Sequence, residues 1–174
     1  RGPGIGIRDL SDPEGTMSRK QLVLLFLGGL VPWTIGNGLM CLLPILALEL
    51  GATEATTGYY LALSFLALTA GSAFTGWLSD KLDRRRLLLF ISAAGFIPSL
   101  WGMGAAKNIL QLAFATSGAW FSAGMAISAT TILAGLFARK DERGKVLGFI
   151  AMANGLGSII GGLSVGPMVD RWGY

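Results

Sequence analysis

The feature that most constrains this chain is the run Gly76-Trp77-Leu78-Ser79-Asp80-Lys81-Leu82-Asp83-Arg84-Arg85-Arg86, where a long apolar stretch ends in a dense knot of charge. Residues 58–79 before it and 87–106 after it carry no charged side chain. Each is long enough to cross the ~30 Å of bilayer hydrocarbon, so together they predict a membrane hairpin with a short basic loop. A soluble helix of that length needs a polar face, and neither stretch has one.

Composition agrees. The 174 residues are 52% hydrophobic and 14% charged, against roughly a quarter charged in soluble domains. The 26 glycines suit packed transmembrane helices, where small residues let backbones approach. The net charge of +4 resides in short loops, which points to membrane orientation rather than nucleic-acid binding. With no His and only Cys41, disulfide frameworks, Cys/His metal sites and histidine-base catalysis are excluded within the sequence, and no cofactor is expected.

Five apolar segments predict an all-α integral membrane protein: about 21–48, 58–79, 87–106, 108–137 and 146–169. The first runs past Pro32 to Leu48, too long for the ~7–15-residue core of a signal peptide. Basic residues cluster before span 1 (Arg19, Lys20), after span 2 (Lys81, Arg84–Arg86) and between spans 4 and 5 (Arg139, Lys140, Arg143, Lys145). The alternate loops hold almost none, which places the N-terminus and both basic loops in the cytoplasm of a multi-pass cell-membrane protein. The sequence opens at Arg1 and stops at Tyr174, and reads as a fragment with Met17 as a candidate start. Residues 1–18 then form a cytoplasmic tail and 19–174 an incomplete transmembrane half.

Sliding the chain by about ninety residues aligns span 2 on span 5 without a gap. Gly58 falls on Gly148, Gly71 on Gly161, Gly76 on Gly166, Asp80 on Asp170 and Lys81 on Arg171. The spans run in opposite directions, as an inverted repeat of three helices requires. Chance matching among glycine-rich helices is the competing explanation.

Asp80 closes span 2, where the negative end of the helix dipole costs a carboxylate ~0.3–1 kcal/mol unless a cation compensates. Arg84, Arg85 or Arg143 can do so, making a latch that holds helix ends together in one state; otherwise the arginines are purely topogenic. At this point the chain resembles a family. Gly76-x-Leu78-x-Asp80-Lys81-x-Asp83-Arg84-Arg85 is similar to the loop 2–3 signature of the major facilitator superfamily, with Asp83 where the family usually has Gly. The resemblance implies a twelve-helix carrier built from inverted three-helix repeats, and a latch that includes Gly76, Asp80, Lys81, Arg84, Arg85 and Arg143. Asp141-Glu142-Arg143-Gly144 resembles the family's entry to the fifth helix. Gly148, Gly157, Gly161 and Gly166 fall at the spacing of a motif of the family's drug and metabolite antiporters, although Gly162 replaces its Pro and Val165 its penultimate Gly. Their plain reading is close helix packing.

In the family the first and fourth helices line a central cavity. On span 1, Trp33, Asn37, Met40 and Pro44 share a helical face; on span 4, Ser117, Trp120, Gly124 and Ser128 do. Trp33, Asn37, Trp120 and the amide of Asn154 in span 5 are candidate substrate-cavity residues for an apolar or neutral solute. The alternative for both asparagines is interhelical glue. No span contains Asp, Glu, Lys, Arg or His, and Phe114 stands where many exporters of the family have an Arg. Coupling therefore lies in the C-terminal half of the same carrier, or the carrier is facilitative.

These residues predict a secondary transporter that works by alternating access, export favoured over import, with the lipid bilayer, a small-molecule substrate and that C-terminal half as partners. The alternative is a non-transporting helical membrane partner or truncated half-carrier. A membrane enzyme is not expected: Asp80-x2-Asp83 lacks the spacing and upstream acid pair of the CDP-alcohol phospholipid synthases.

Overall fold

The computed structural model describes residues 19–81, 85–138 and 141–172. These form five helices: α1 (Arg19–Glu49), α2 (Glu54–Lys81), α3 (Arg85–Gly104), α4 (Ile109–Phe137) and α5 (Arg143–Trp172). All five have the length and apolar character of membrane spans. The expected tail 1–18 lies outside the described residues.

Local chemistry sets the helix ends. After α1, Gly51 adopts φ +83°, which a residue with a Cβ adopts only under strain. That turn lets Ala52 N–H donate to Ala47 O and Gly51 N–H to Leu48 O, both at 3.0 Å, so orphan carbonyls of the last turn are satisfied. Thr53 starts α2, its hydroxyl accepting from Thr56 N–H at 3.2 Å. Glu54 therefore opens the helix rather than lying in a loop, an acid where the dipole favours one. Before α4, Asn108 Oδ1 accepts from Gln111 N–H while Gln111 Oε1 accepts from Lys107 N–H, both at 2.9 Å. Helix α2 thus spans 54–81 and α3 spans 85–104, each displaced by a few residues from its apolar segment.

Large apolar side chains point outward: Phe114 and Trp101 are 80% exposed, and Leu24, Phe90, Ile97 and Leu163 are exposed too. The interior holds small polar residues beside its apolar ones, with Ser64, Thr75 and Thr116 as fully buried as Leu43, Leu88 and Leu112. Lipid explains the outward leucines, because its tails solvate leucine as well as another helix does. Several of the buried hydroxyls find partners nearby. Ser64 donates to Tyr60 O and Thr75 to Gly71 O, both at 3.0 Å, and Tyr60 Oη pairs with Thr116 Oγ1 at 3.0 Å.

Helix α5 packs along α1, α2 along α4, and α3 along the side of α4, while α1 and α4 meet at the centre. Where small residues allow, backbones touch. A Cβ on Gly71 would strike the Phe121 carbonyl oxygen, and one on Gly161 the Thr34 carbonyl oxygen. These glycines are the pair that the internal repeat superposes, and each sits against the central helix of the other repeat unit. The pairing α2 on α4 is thereby matched by α5 on α1, as a three-helix repeat demands.

Gly71→Ala and Gly161→Ala should each lower the temperature at which the detergent-solubilised chain aggregates, because the opposing atoms are backbone and cannot swing aside. Gly58→Ala and Gly148→Ala, which face open space, should be neutral or slightly stabilising through helix propensity. Equal behaviour of the two sets in a heating series monitored by size exclusion would contradict this packing.

Candidate functional site

The residues of interest occupy the mid-depth of α1 and α4 and the charged ends of α2 and α5. On α1, Trp33 and Asn37 are half-buried one turn apart, and Asn37 Nδ2 donates to Trp33 O at 3.1 Å. Thr34, between them, donates its hydroxyl to Leu30 O at 2.8 Å. On α5, half-buried Asn154 faces α1. In the amide orientation that satisfies both neighbours, Asn154 Oδ1 accepts from Trp33 Nε1 and Nδ2 donates to Ile150 O, each at 3.2 Å. Gly29 opposes this amide: a Cβ there would lie 2.6 Å from it.

On α4, half-buried Trp120 stacks obliquely on Phe65 of α2, ring centroids 5.3 Å apart. Trp33 and Trp120 each immediately precede the residue whose carbonyl receives a glycine, Thr34 and Phe121. They are therefore the same position in the two repeats. The other candidates on their faces are distributed differently. Gly124 is buried against Leu68 O of α2, so it serves packing. Ser117 Oγ is buried with no hydrogen-bond partner among the described residues. Of the four α5 glycines in the spaced motif, Gly157 approaches Leu30 O and Thr34, Gly161 meets Thr34 O, and Gly148 and Gly166 face open space.

At the charged end of α2, Asp80 and Lys81 are exposed and Gly76 has nothing within 4 Å of where a Cβ would stand. Lys81 Nζ sits 4.1 Å above the centre of the Trp77 ring, whose neighbour Phe74 lies 5.8 Å away. This is an ammonium held at an aromatic girdle, the usual dressing of a membrane–water boundary. Arg143 opens α5 and is exposed. Arg84 and the Arg85 side chain lie outside the described residues.

One feature carries no sequence signal. A cavity of about 740 Å³ lies between α1, α3 and α4, walled by side chains such as Leu27, Val31, Phe90 and Phe137. Its polar groups are the hydroxyls of Ser92, Ser122 and Thr130. None of Trp33, Asn37, Trp120 or Asn154 lines it. Periodicity missed it because all its wall residues sit in helices that are apolar on every side. Among the described residues no cluster of His, Cys, Asp or Glu could hold a metal.

Comparison with known proteins gives this arrangement its context. The chain is 26% identical over 160 residues to the multidrug resistance protein MdtG of Klebsiella pneumoniae (strain 342), covering 89% of this chain and 38% of that protein. The MdtG of Salmonella choleraesuis (strain SC-B67) gives the same identity and covers 39% of its length. An uncharacterized MFS-type transporter, YuxJ of Bacillus subtilis (strain 168), is 27% identical over 124 residues, 71% of this chain and 31% of that protein. The chain thus spans well under half the length of these relatives, and no solved structure matches it. The family model described as Major Facilitator Superfamily matches residues 25–174, and the chain belongs to that superfamily.

Proposed function

We propose that this chain is part of a secondary transporter that moves a small, neutral or largely apolar solute across the cell membrane by alternating access, with export the favoured direction. The observation that carries the reading is the repeat pairing. Helices α2 and α5 each pack against the central helix of the opposite unit through a glycine–carbonyl contact, an arrangement that suits repeats rocking about a midplane site. Membership of the superfamily and the name of the MdtG relatives support transport and favour export. A C-terminal half of the same carrier would supply the facing wall.

Trp33, Asn37, Trp120 and Asn154 are the solute-facing candidates. They offer aromatic surface and amide hydrogen bonds but no charge, which suits a neutral solute. At the cytoplasmic edge, Asp80 at the end of α2 would pair with Arg84 or Arg143 while that side is closed and release them on opening. Lys81 is already engaged with Trp77, which leaves the arginines as the better partners.

Two measurements test this reading. In the complete carrier, Asp80→Asn should slow efflux of the neutral fluorophore 7-methoxycoumarin by about tenfold or more, since a charge-assisted bond is worth ~1.5–3 kcal/mol. Membrane insertion should be unchanged; efflux at the unmodified rate sinks the latch. For orientation, Cys41→Ser provides a background for single cysteines. Those at Ala52 and Lys107 should react with an impermeant maleimide on intact cells, and one at Lys145 only after permeabilisation. The reverse pattern would place the N-terminus outside.

A further inference from the structure

We propose that Asn154 is a positioning residue for solute recognition: from α5 its carboxamide takes the Trp33 indole N–H and holds that ring in the wall of the pathway. The proposal rests on the reading of Trp33 as a pathway residue.

Three observations carry it. The first is geometric. Both ends of the amide are used, Oδ1 by Trp33 Nε1 and Nδ2 by Ile150 O, so its orientation is fixed and with it the lone pair that the indole meets. The second is the space provided. Gly29 on α1 leaves the amide room that one methyl group would fill, with Ile150 and Ala153 closing the same pocket at 3.5 and 3.6 Å.

The third separates positioning from simple helix adhesion, and comes from the repeat. The position equivalent to Trp33 is Trp120, and the position equivalent to Asn154, by the offset that relates Gly71 to Gly161, is Ser64. Ser64 donates to Tyr60 O within its own helix, and Trp120 is seated against the Phe65 ring. The α2–α4 pair thus packs without an amide–indole bond. Helices α1 and α5 have their own glycine contacts, Gly157 on Leu30 O and Gly161 on Thr34 O, and need no further adhesive. The Trp33–Asn154 bond is an addition that one repeat carries and the other lacks. Its one structural consequence is to fix the angle of an indole at mid-depth of a central helix. An indole so fixed presents a rigid apolar face, and a neutral planar solute is the ligand that such a face selects.

The test uses the complete carrier in phospholipid nanodiscs with 7-methoxycoumarin as probe. Binding is followed by quenching of tryptophan emission, and the state of Trp33 by its indole ¹H–¹⁵N resonance, assigned by its loss in Trp33→Phe. Asn154→Ala and Gly29→Ala damage the same bond from opposite sides. Each should shift the Trp33 resonance upfield, leave the other indole resonances in place, and weaken binding about two- to tenfold, the range one hydrogen bond supports. Having two lesions protects the test if one variant fails to fold. Asn154→Ala added to Trp33→Phe should cause no further loss. An equal loss in that doubly substituted chain would show that Asn154 acts on its own and overturn the proposal. If Trp33→Phe weakens binding and Asn154→Ala does not, only the positioning role fails. If Trp33→Phe binds like the unmodified chain, or that chain shows no saturable binding, the pathway reading of Trp33 fails and takes the proposal with it.

Discussion

The close approach of a glycine Cα to a carbonyl oxygen across a helix pair is the contact on which the rest of this structure depends. Lipid tails remove the hydrophobic reason for helices to associate, so what remains is dispersion at short range and a few polar bonds. Both decay steeply with separation. Gly71 against Phe121 O and Gly161 against Thr34 O bring α2 onto α4 and α5 onto α1 at a distance that no residue with a Cβ permits. They also fix register. With Thr34 set against Gly161, Trp33 comes within hydrogen-bonding reach of Asn154; with Phe121 set against Gly71, Trp120 comes over Phe65. A helix that slid by one residue would lose the glycine contact and both of these together.

The polar interior follows from the same absence of a hydrophobic drive. Several hydroxyls can be buried here because a carbonyl lies within their own helix, three or four residues back, as for Ser64, Thr75, Ser92 and Thr130. They occupy little volume and make few demands on the neighbouring helix. For these four the donor is satisfied whatever the neighbouring helix does. Leucines lock the two apolar clusters, around Leu25 and Leu133 and around Leu43 and Leu112, and the small side chains lie beside them.

Much of this was legible in the residues. The spans are visible because charge is absent over lengths that only a bilayer explains, while the helix ends are set by Gly51, Thr53 and Asn108, which apolar patterning does not mark. Gly71 and Gly161 are superposed by a simple shift of the sequence, and the structure sets both against backbone. Which glycines face a neighbour was not legible. Gly148 and Gly166 belong to the same spaced set as Gly157 and Gly161, yet they face open space, because a span apolar all round has no moment to mark its inner face. The partner of Asn154 was hidden for a related reason. Spacing groups residues along one helix, whereas the Trp33–Asn154 bond joins two helices far apart in the chain. The cavity beside α3 was invisible on the same grounds.

Near-symmetry turns these gaps to use. Where two repeat units share a contact, that contact is required by the fold; where they differ, the fold tolerates both versions and something else selects the difference. The glycine–carbonyl approaches belong to the first kind. Trp33 and Trp120 are alike in identity and position but differ in what seats them, an amide in one unit and a phenyl ring in the other. A pair of walls built alike would offer a solute the same surface twice, related by the pseudo-two-fold. Walls seated differently break that equivalence, since one indole has its N–H occupied and its angle fixed while the other rests on an aromatic contact free to adjust. Were both indoles to face a solute, as proposed, one that is not itself symmetric would have a preferred orientation between them, a polarity that the repeat alone cannot supply.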